Sequence, residues 1–399
     1  MFLRDILLNI LNDQKAPAPD AEVARELAGR IPARSAHALV LTGVRRCGKS
    51  VLQAQVMRRR KDRFYCNLED TRLYGFGPVD FPAFLSVADE LAPREPVFLD
   101  EVQEVAEWQR LVRSLLDRGR TVCLTGSNAS VLGRELGAKL TGRHLSYEVL
   151  PYSYVEFLDA VGRKAGAESL GAYLDLGGFP GFVRDRNPQV LQELLRDVVQ
   201  RDIAVRHHVR ETRHVMNLAL FLLANTGQPF SLQSLTKSLS VPTVAQTSRY
   251  VEHLQDAYLL FALPKFSASF KKRVVAPNKY YAVDTGLRRV ASPSMTADVG
   301  HRLENAVYLG LRRRGVALAY AGEKDSWECD FVTEHEAIQV CAELTPYNRE
   351  REVRGLVRAC ALPGKRRALL LTMNQRDSFT VEGLKIEVKP AWEWLSAEV

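Results

Sequence analysis

The chain has 399 residues, of which 46% are hydrophobic and 26% charged, the balance of a soluble globular protein of two to four domains at roughly 100–200 residues each. Its formal charge of +8 points to an acidic polymer as partner. No apolar run reaches the ~18 residues that span a bilayer, and six scattered cysteines without a CxxC pair argue against a zinc site or disulfide framework and for a reducing cytoplasm.

At the N-terminus, Phe2, Leu3, Ile6, Leu7, Ile10 and Leu11 recur at helical spacing, which predicts a short amphipathic helix docked on the first domain. Arg4, Asp5 and Asn9 interrupt it too often for a signal peptide, and its polar face has no basic cluster to hold it on a membrane. A Pro/Ala loop and a helix over Ala21 to Ala28 follow. The continuous apolar run ALVLTG (38–43) reads as a buried parallel strand. Further strands are expected over 63–70, 96–101 and 121–127, with helices over 49–61, 80–91 and 106–118 between them. Such alternation predicts a parallel α/β sheet. Residues 145–160 supply a last strand and lead out of the first domain, 1–160.

A second domain, 161–292, is mostly helical to about residue 227 and then holds a compact unit at 229–262. The most linker-like stretch falls near 290–299. A third domain, 293–399, reads as a helix over 300–314, strands near 317–321, 329–333 and 337–344, a helix near 350–360, and strands near 367–372 and 384–388.

The stretch Gly43, Val44, Arg45, Arg46, Cys47, Gly48, Lys49, Ser50, continued by Val51, fits the phosphate loop G-x-x-x-x-G-K-[ST] between a strand and a helix. Glycine lets the backbone form a nest of N–H groups, and the helix that opens there adds its positive end, so the loop suits the phosphates of ATP. Lys49 is expected to reach the β- and γ-phosphates, and the Ser50 hydroxyl to hold magnesium. The apolar strand VFLDE (97–101) ends in Asp100, the second magnesium holder, and Glu101, the group that polarises the attacking water. After the next strand, Ser127 or Asn128 is placed to contact the γ-phosphate.

The segments GVRRCGKS (43–50), FLDE (98–101), TGSN (125–128), KLTGRHLSYEVLPYSYVEF (139–157), YLDLGGFPGFV (173–183), KYYAVDTGL (279–287) and RLENAVYLGL (302–311) resemble the bacterial and archaeal AAA+ ATPases that carry a C-terminal DUF4143 region. The resemblance implies a homo-oligomer, such as a hexameric ring. Its sites lie between subunits, and a neighbour's arginine reaches the γ-phosphate. Arg143 occupies the comparable place, with Arg134, Arg113 and Arg118 as alternatives.

Residues 231–260 have the spacing of a helix-turn-helix. Leu232, Leu235 and Leu239 define the first helix, Val241 and Pro242 the turn, and Val244, Thr247, Val251 and Leu254 the inward side of the second. Gln246, Ser248, Arg249 and His253 are left to face DNA. Two strands around Lys271, Lys272 and Arg273 complete a winged helix.

In the C-terminal region, the order of Glu304, Asp330 and Gln339 resembles the PD-(D/E)XK nuclease fold, in which acidic groups hold magnesium beside a lysine. Here the lysine position is Cys341. A thiol supplies no positive charge, so the site reads as a degenerate one kept for DNA binding or assembly, with Lys324 or Arg349 as the cations that would have to substitute from elsewhere. The whole reading is an α/β P-loop AAA+ domain, a helical and winged-helix domain, and a PD-(D/E)XK-like α/β domain. It uses ATP and magnesium, and DNA and a second copy of the chain are its partners. The rival readings are a nucleotide-dependent switch for a protein partner and an ATP-licensed nuclease.

Overall fold

The computed structural model describes all residues except 1, 15–22, 60–62, 127–141, 268, 270–274, 292–298, 365 and 398–399. Two compact units result, one of residues 1–150 with 256–258, the other of 151–255 and 259–399.

In the first unit, helix α1 (Arg4–Asp13) is followed by strand β1 (Ala38–Thr42), helix α2 (Lys49–Met57) and strand β2 (Phe64–Asn67). Then come α3 (Phe81–Leu91), β3 (Val97–Asp100), α4 (Trp108–Asp117), β4 (Val122–Gly126) and β5 (His144–Glu148). The strands form one parallel sheet in the order β2-β3-β4-β1-β5. Every residue of β1, β3 and β4 is buried, which is why these strands read as unbroken apolar runs rather than alternating ones. Trp108, Leu111, Val112, Leu115 and Leu116 give α4 a single apolar stripe that joins the core with β2, β3 and α3.

The amphipathic helix expected at the N-terminus forms and docks on the core of this unit. Of the N-terminal apolar residues, Leu7, Ile10 and Leu11 are buried, but Leu3 and Ile6 face solvent. The helix expected over residues 21–28 is absent where described: residues 23–25 carry no helix and a 3-10 turn follows at Glu26–Arg30. Extended backbone at Arg25 lets its buried guanidinium donate to the Cys47 carbonyl at 2.8 Å and the Leu150 carbonyl at 2.6 Å.

The second unit begins with helices α5 (Tyr154–Val161), α6 (Ala167–Leu176), α7 (Pro180–Asp185) and α8 (Gln189–Asp197). A π-helical turn, Val198–Val205, continues α8, and α9 (Thr212–Ala224) follows. Strand β6 (Pro229–Phe230), α10 (Leu232–Ser238), α11 (Val244–Asp256), β7 (Leu260–Leu263) and β8 (Asn278–Ala282) come next. The three strands pair antiparallel in the order β6-β8-β7. Ser231 caps α10 by accepting the Ser234 N–H, and the Thr236 and Thr247 hydroxyls join α10 to α11 at 2.8 Å. Leu235, Thr247, Val251 and Leu254 are buried as expected, whereas Val244, on the first turn of α11, is exposed.

Beyond a short helix α12 (Arg288–Ala291) lies α13 (Val299–Arg313). Strands β9 (Ala319–Glu323), β10 (Trp327–Val332) and β11 (Glu336–Val340) follow. Helix α14 (Arg349–Cys360), strands β12 (Arg367–Thr372), β13 (Asp377–Val381) and β14 (Leu384–Pro390), and helix α15 (Ala391–Ser396) complete the chain. The mixed sheet runs β13-β14-β12-β11-β10-β9. Helix α14 covers it through Val353, Leu356 and Ala359, and the chain leaving β7 joins its edge, Phe266 N–H donating to the Tyr320 carbonyl at 2.6 Å.

Candidate nucleotide-binding site

The phosphate loop lies between β1 and α2 and is shaped by backbone that L-residues resist. Gly48, the N-cap of α2, has φ +98° and Gly43 has φ +153°. A Cβ on Gly43 would stand 2.1 Å from the Val149 carbonyl oxygen, so only glycine lets the loop pass β5 this closely. Arg46, at φ +63°, is the loop's other left-handed residue. Cys47 is fully buried and its thiol is pushed up by that burial. Lys49 is also buried, its ammonium donating to the Gly43 and Val44 carbonyls at 3.1 and 3.2 Å.

Because β4 stands between β1 and β3, the loop, Asp100 and the end of β4 meet at one edge of the sheet. Asp100 is the hub. Its Oδ1 accepts from the Ser50 hydroxyl at 3.1 Å and from the Thr125 hydroxyl, and its Oδ2 accepts from the Tyr65 phenol at 3.1 Å. Burial raises the Asp100 pKa above its ordinary range, against the hydrogen bonds from Thr125, Ser50 and Tyr65. Glu101 takes left-handed backbone at φ +53° and donates its N–H to Thr125 Oγ1 at 2.9 Å; its carboxylate accepts from the Gln103 amide at 2.5 Å. Gln53, wholly buried in α2, donates to the Leu99 and Cys123 carbonyls at 3.0 and 3.1 Å, tying the helix behind the loop to β3 and β4.

The Ser50 hydroxyl and the Asp100 carboxylate are adjacent hard oxygen donors, the donor chemistry that magnesium takes together with phosphate oxygens. They fit the ion. Thr125, Tyr65, Gln53 and Arg25 are groups that the motif alone does not single out. Thr125 stands in the quoted TGSN turn, and its signal is a polar residue ending a fully apolar strand.

Ser127, Asn128 and Arg134 lie outside the described residues. Arg143 precedes β5, its carbonyl accepting the Ala38 N–H at the start of β1, so it stands at the opposite end of the sheet from its own phosphate loop. Its guanidinium pairs with Asp117 at 2.7 Å. On α11, Arg249 is exposed. Gln246 donates to the Tyr250 hydroxyl at 2.5 Å, Ser248 to Glu252 at 3.2 Å, and His253 stacks on His207 at 3.8 Å. Lys271, Lys272 and Arg273 lie outside the described residues.

Glu304, Asp330 and Gln339 do come together in the C-terminal part, but around a group the sequence did not suggest. Lys279, on β8 and 1% exposed, stands among Glu304, Glu328 and Asp330. Neither Lys324 nor Arg349 takes that place: Lys324 is exposed and Arg349 stacks on the Phe379 ring at 3.9 Å.

Residues 35–158 match the family described as an AAA domain, and residues 167–297 match a domain of unknown function, DUF8612. With the five-stranded parallel sheet and the phosphate loop, this gives residues 35–158 the fold of a P-loop AAA+ domain. The DUF4143 region expected from the resemblance is not what the match gives; the model matching the middle of the chain is DUF8612. A protein of Methanocaldococcus jannaschii named MJ1544 is 31% identical over 389 residues, covering 89% of this chain and 87% of its own. A protein of Haemophilus influenzae is 33% identical over 316 residues, covering 73% and 78%. The chain belongs to the family of these two proteins. Among solved structures, AMPPCP-bound DnaA from Aquifex aeolicus overlaps 58% of this chain and 85% of its own at 12% identity, with a TM-score of 0.28. The Cdc6p of Pyrobaculum aerophilum overlaps 56% and 80% at 13% identity, with a TM-score of 0.26. No helix among the described residues is long and apolar enough to cross a membrane.

Proposed function

We propose that the chain is a magnesium-dependent ATPase of the cytoplasm, assembled as a homo-oligomer, whose nucleotide state controls its grip on DNA. The observation that carries the reading is the convergence of Ser50, Tyr65 and Thr125 on Asp100, with Glu101 held one residue further on by the same Thr125.

In this reading the phosphates of ATP lie in the nest from Gly43 to Val51, against the N-terminus of α2. Lys49 exchanges the Gly43 and Val44 carbonyls for β- and γ-phosphate oxygens. Ser50 and Asp100 are the residues that would hold magnesium, which would neutralise phosphate charge when bound. Glu101 orients a water in line with the γ-phosphorus and accepts its proton. The water oxygen bonds to that phosphorus as the bond to the bridging oxygen breaks, so inorganic phosphate forms and ADP leaves with the electron pair. Thr125 fixes the Glu101 backbone and Asp100 relative to one another. Arg143 stands too far along the sheet to serve its own site, so its role is in trans, on the γ-phosphate of a neighbouring subunit.

The DNA part of the reading rests on the net charge of +8 and on exposed Arg249 at the helix pair of α10 and α11. Gln246, Lys271, Lys272 and Arg273 would add contacts to the duplex backbone. The deciding experiment is steady-state ATP hydrolysis with magnesium, with and without single-stranded, duplex and branched DNA, using Lys49→Ala as the blank. Stimulation by one DNA form supports the coupling and names the preferred form. Hydrolysis indifferent to every DNA overturns it and favours a switch for a protein partner.

A further inference from the structure

Helix α13 and strand β10 aim three carboxylates at one point. Glu304 and Asp330 are almost wholly buried there, and Glu328 reaches in from the half-exposed side. At that point sits the Lys279 ammonium, carried in on β8 of the three-stranded sheet. It stands 3.0 Å from Glu304 Oε1, 2.7 Å from Glu328 Oε1 and 3.0 Å from Asp330 Oδ1. An ammonium has three N–H donors, and here each meets one carboxylate. The Tyr320 ring lies 5.7 Å from the same nitrogen.

Glu304 and Asp330 are also committed to further partners. Glu304 Oε1 accepts from the Tyr281 phenol at 2.6 Å, and its Oε2 faces His301 Nδ1 at 3.4 Å. Asp330 Oδ2 accepts the Val340 N–H at 3.0 Å. Gln339, the third member of the expected metal set, accepts the Asp330 N–H at 3.3 Å and donates to Glu352 at 2.7 Å. Cys341 is buried, which pushes its thiol up to about 12 and keeps it neutral. The cluster forms part of the wall of a cavity of about 1240 Å³ that also reaches Ser231 and Lys265.

Three converging carboxylates are the donor set of a hard divalent cation, at 2.0–2.6 Å from each oxygen by general coordination chemistry. Lys279 holds the centre of that set, so a metal ion does not fit without expelling a buried ammonium into a place with no compensating charge. We propose that this is a divalent-cation site whose cation has become covalent: the Lys279 ammonium permanently takes the place of the metal between Glu304, Glu328 and Asp330. The C-terminal cavity is therefore closed to magnesium and runs no metal-dependent phosphodiester cleavage. The same three ion pairs fasten β8 to α13 and β10, so the lysine does for the fold what a structural metal does elsewhere. This proposal stands apart from the ATPase reading, since none of its residues belongs to the phosphate loop.

The test uses the full chain without nucleotide, titrated with Mn²⁺ by calorimetry and by the electron paramagnetic resonance of free Mn²⁺. Wild type, Lys279→Met, Asp330→Asn and the double variant Lys279→Met with Asp330→Asn are compared. Wild type and Asp330→Asn are expected to bind alike. Lys279→Met removes the charge at similar volume. It is expected to gain one Mn²⁺ per chain, to bind it at least tenfold tighter than any site of the wild type, and to melt at a higher temperature when Mn²⁺ is present. The double variant is expected to lose that site. Terbium luminescence sensitised through Tyr281 reports the same position independently. A wild-type Mn²⁺ site, or metal-dependent nicking of plasmid DNA, that Asp330→Asn abolishes overturns the proposal. So does a folded Lys279→Met chain that gains no ion, or a Lys279→Met chain that Mn²⁺ fails to bring to the fold.

Discussion

Thr125 holds two neighbours at once, accepting the Glu101 N–H and donating to Asp100. Replacement by valine keeps the shape and removes both bonds, leaving a buried carboxylate oxygen and an amide short of partners. At about 1–3 kcal/mol for such a loss, Thr125→Val is expected to slow hydrolysis by roughly 10- to 100-fold while ATP still binds, and Thr125→Ser to restore most of the rate. Phosphate-release kinetics alongside a nucleotide-binding titration separate the two effects; equal rates for Val and wild type would refute the positioning role. Glu101→Gln removes the proton acceptor without changing its shape. Its hydrolysis is expected to fall by about 10²-fold or more, with ATP retained on the protein through gel filtration. A variant that turns over at the wild-type rate removes Glu101 from the mechanism. The loop, Asp100 and Glu101 were legible in the sequence because each has to be of one chemical type at a fixed place after a strand. Tyr65 was not, since its partner arrives from another strand; Thr125 was marked only as a polar residue at the end of an apolar strand, and nothing in the sequence named Asp100 and Glu101 as the groups it holds. Lys279 is the sharpest case: it stands in a segment quoted for its family likeness, yet only the fold, which brings the side chain from β8 to carboxylates of α13 and β10, shows what it touches.

At the level of elements, apolar run length carried most of the information. The fully buried β1, β3 and β4 and the one-faced α4 follow directly from their patterns. Strand β13 escaped because it is an edge, with Asp377, Ser378 and Thr380 exposed and no apolar run to mark it. The segment before β1 was misread for the converse reason: its composition suits a helix, but Arg25 is needed beneath the phosphate loop, and a buried guanidinium bonded to two carbonyls outweighs a few tenths of a kcal/mol of helix propensity. Arg25→Ala is therefore expected to cost about 1–3 kcal/mol, read as a lower melting temperature, and to weaken ATP binding at constant solubility. A variant with unchanged affinity would show that the loop holds its shape without support from below. Gly43→Ala tests the other side of the loop. A methyl group 2.1 Å from the Val149 carbonyl, on backbone at φ +153°, is expected to abolish ATP binding while α4 and the strands behind it keep the unit folded by circular dichroism.

For the whole molecule, the phosphate loop belongs to one compact unit and the helix pair of α10 and α11 to the other, apart from the last residue of α11. If ATP alters the affinity for DNA by some factor, DNA must alter the affinity for ATP by the same factor, so the proposed coupling can be measured from either side. With Glu101→Gln holding ATP unhydrolysed, DNA affinity is compared in its ATP-bound and ADP-bound states, and ATP affinity with and without DNA. A change of 5- to 150-fold is the usual range for a coupled pair of sites, and two unequal factors would mean that a further state, such as a change of oligomer, is part of the cycle. The electrostatic share of DNA binding is separable by salt, because each neutralised phosphate releases counterions and log affinity falls with log salt at about 0.9 per contact on duplex DNA. Arg249→Ala is expected to lower that slope by about one while leaving hydrolysis without DNA unchanged. An affinity that stays flat between low and high salt would remove DNA from the reading and leave the +8 charge to serve solubility or an acidic protein partner.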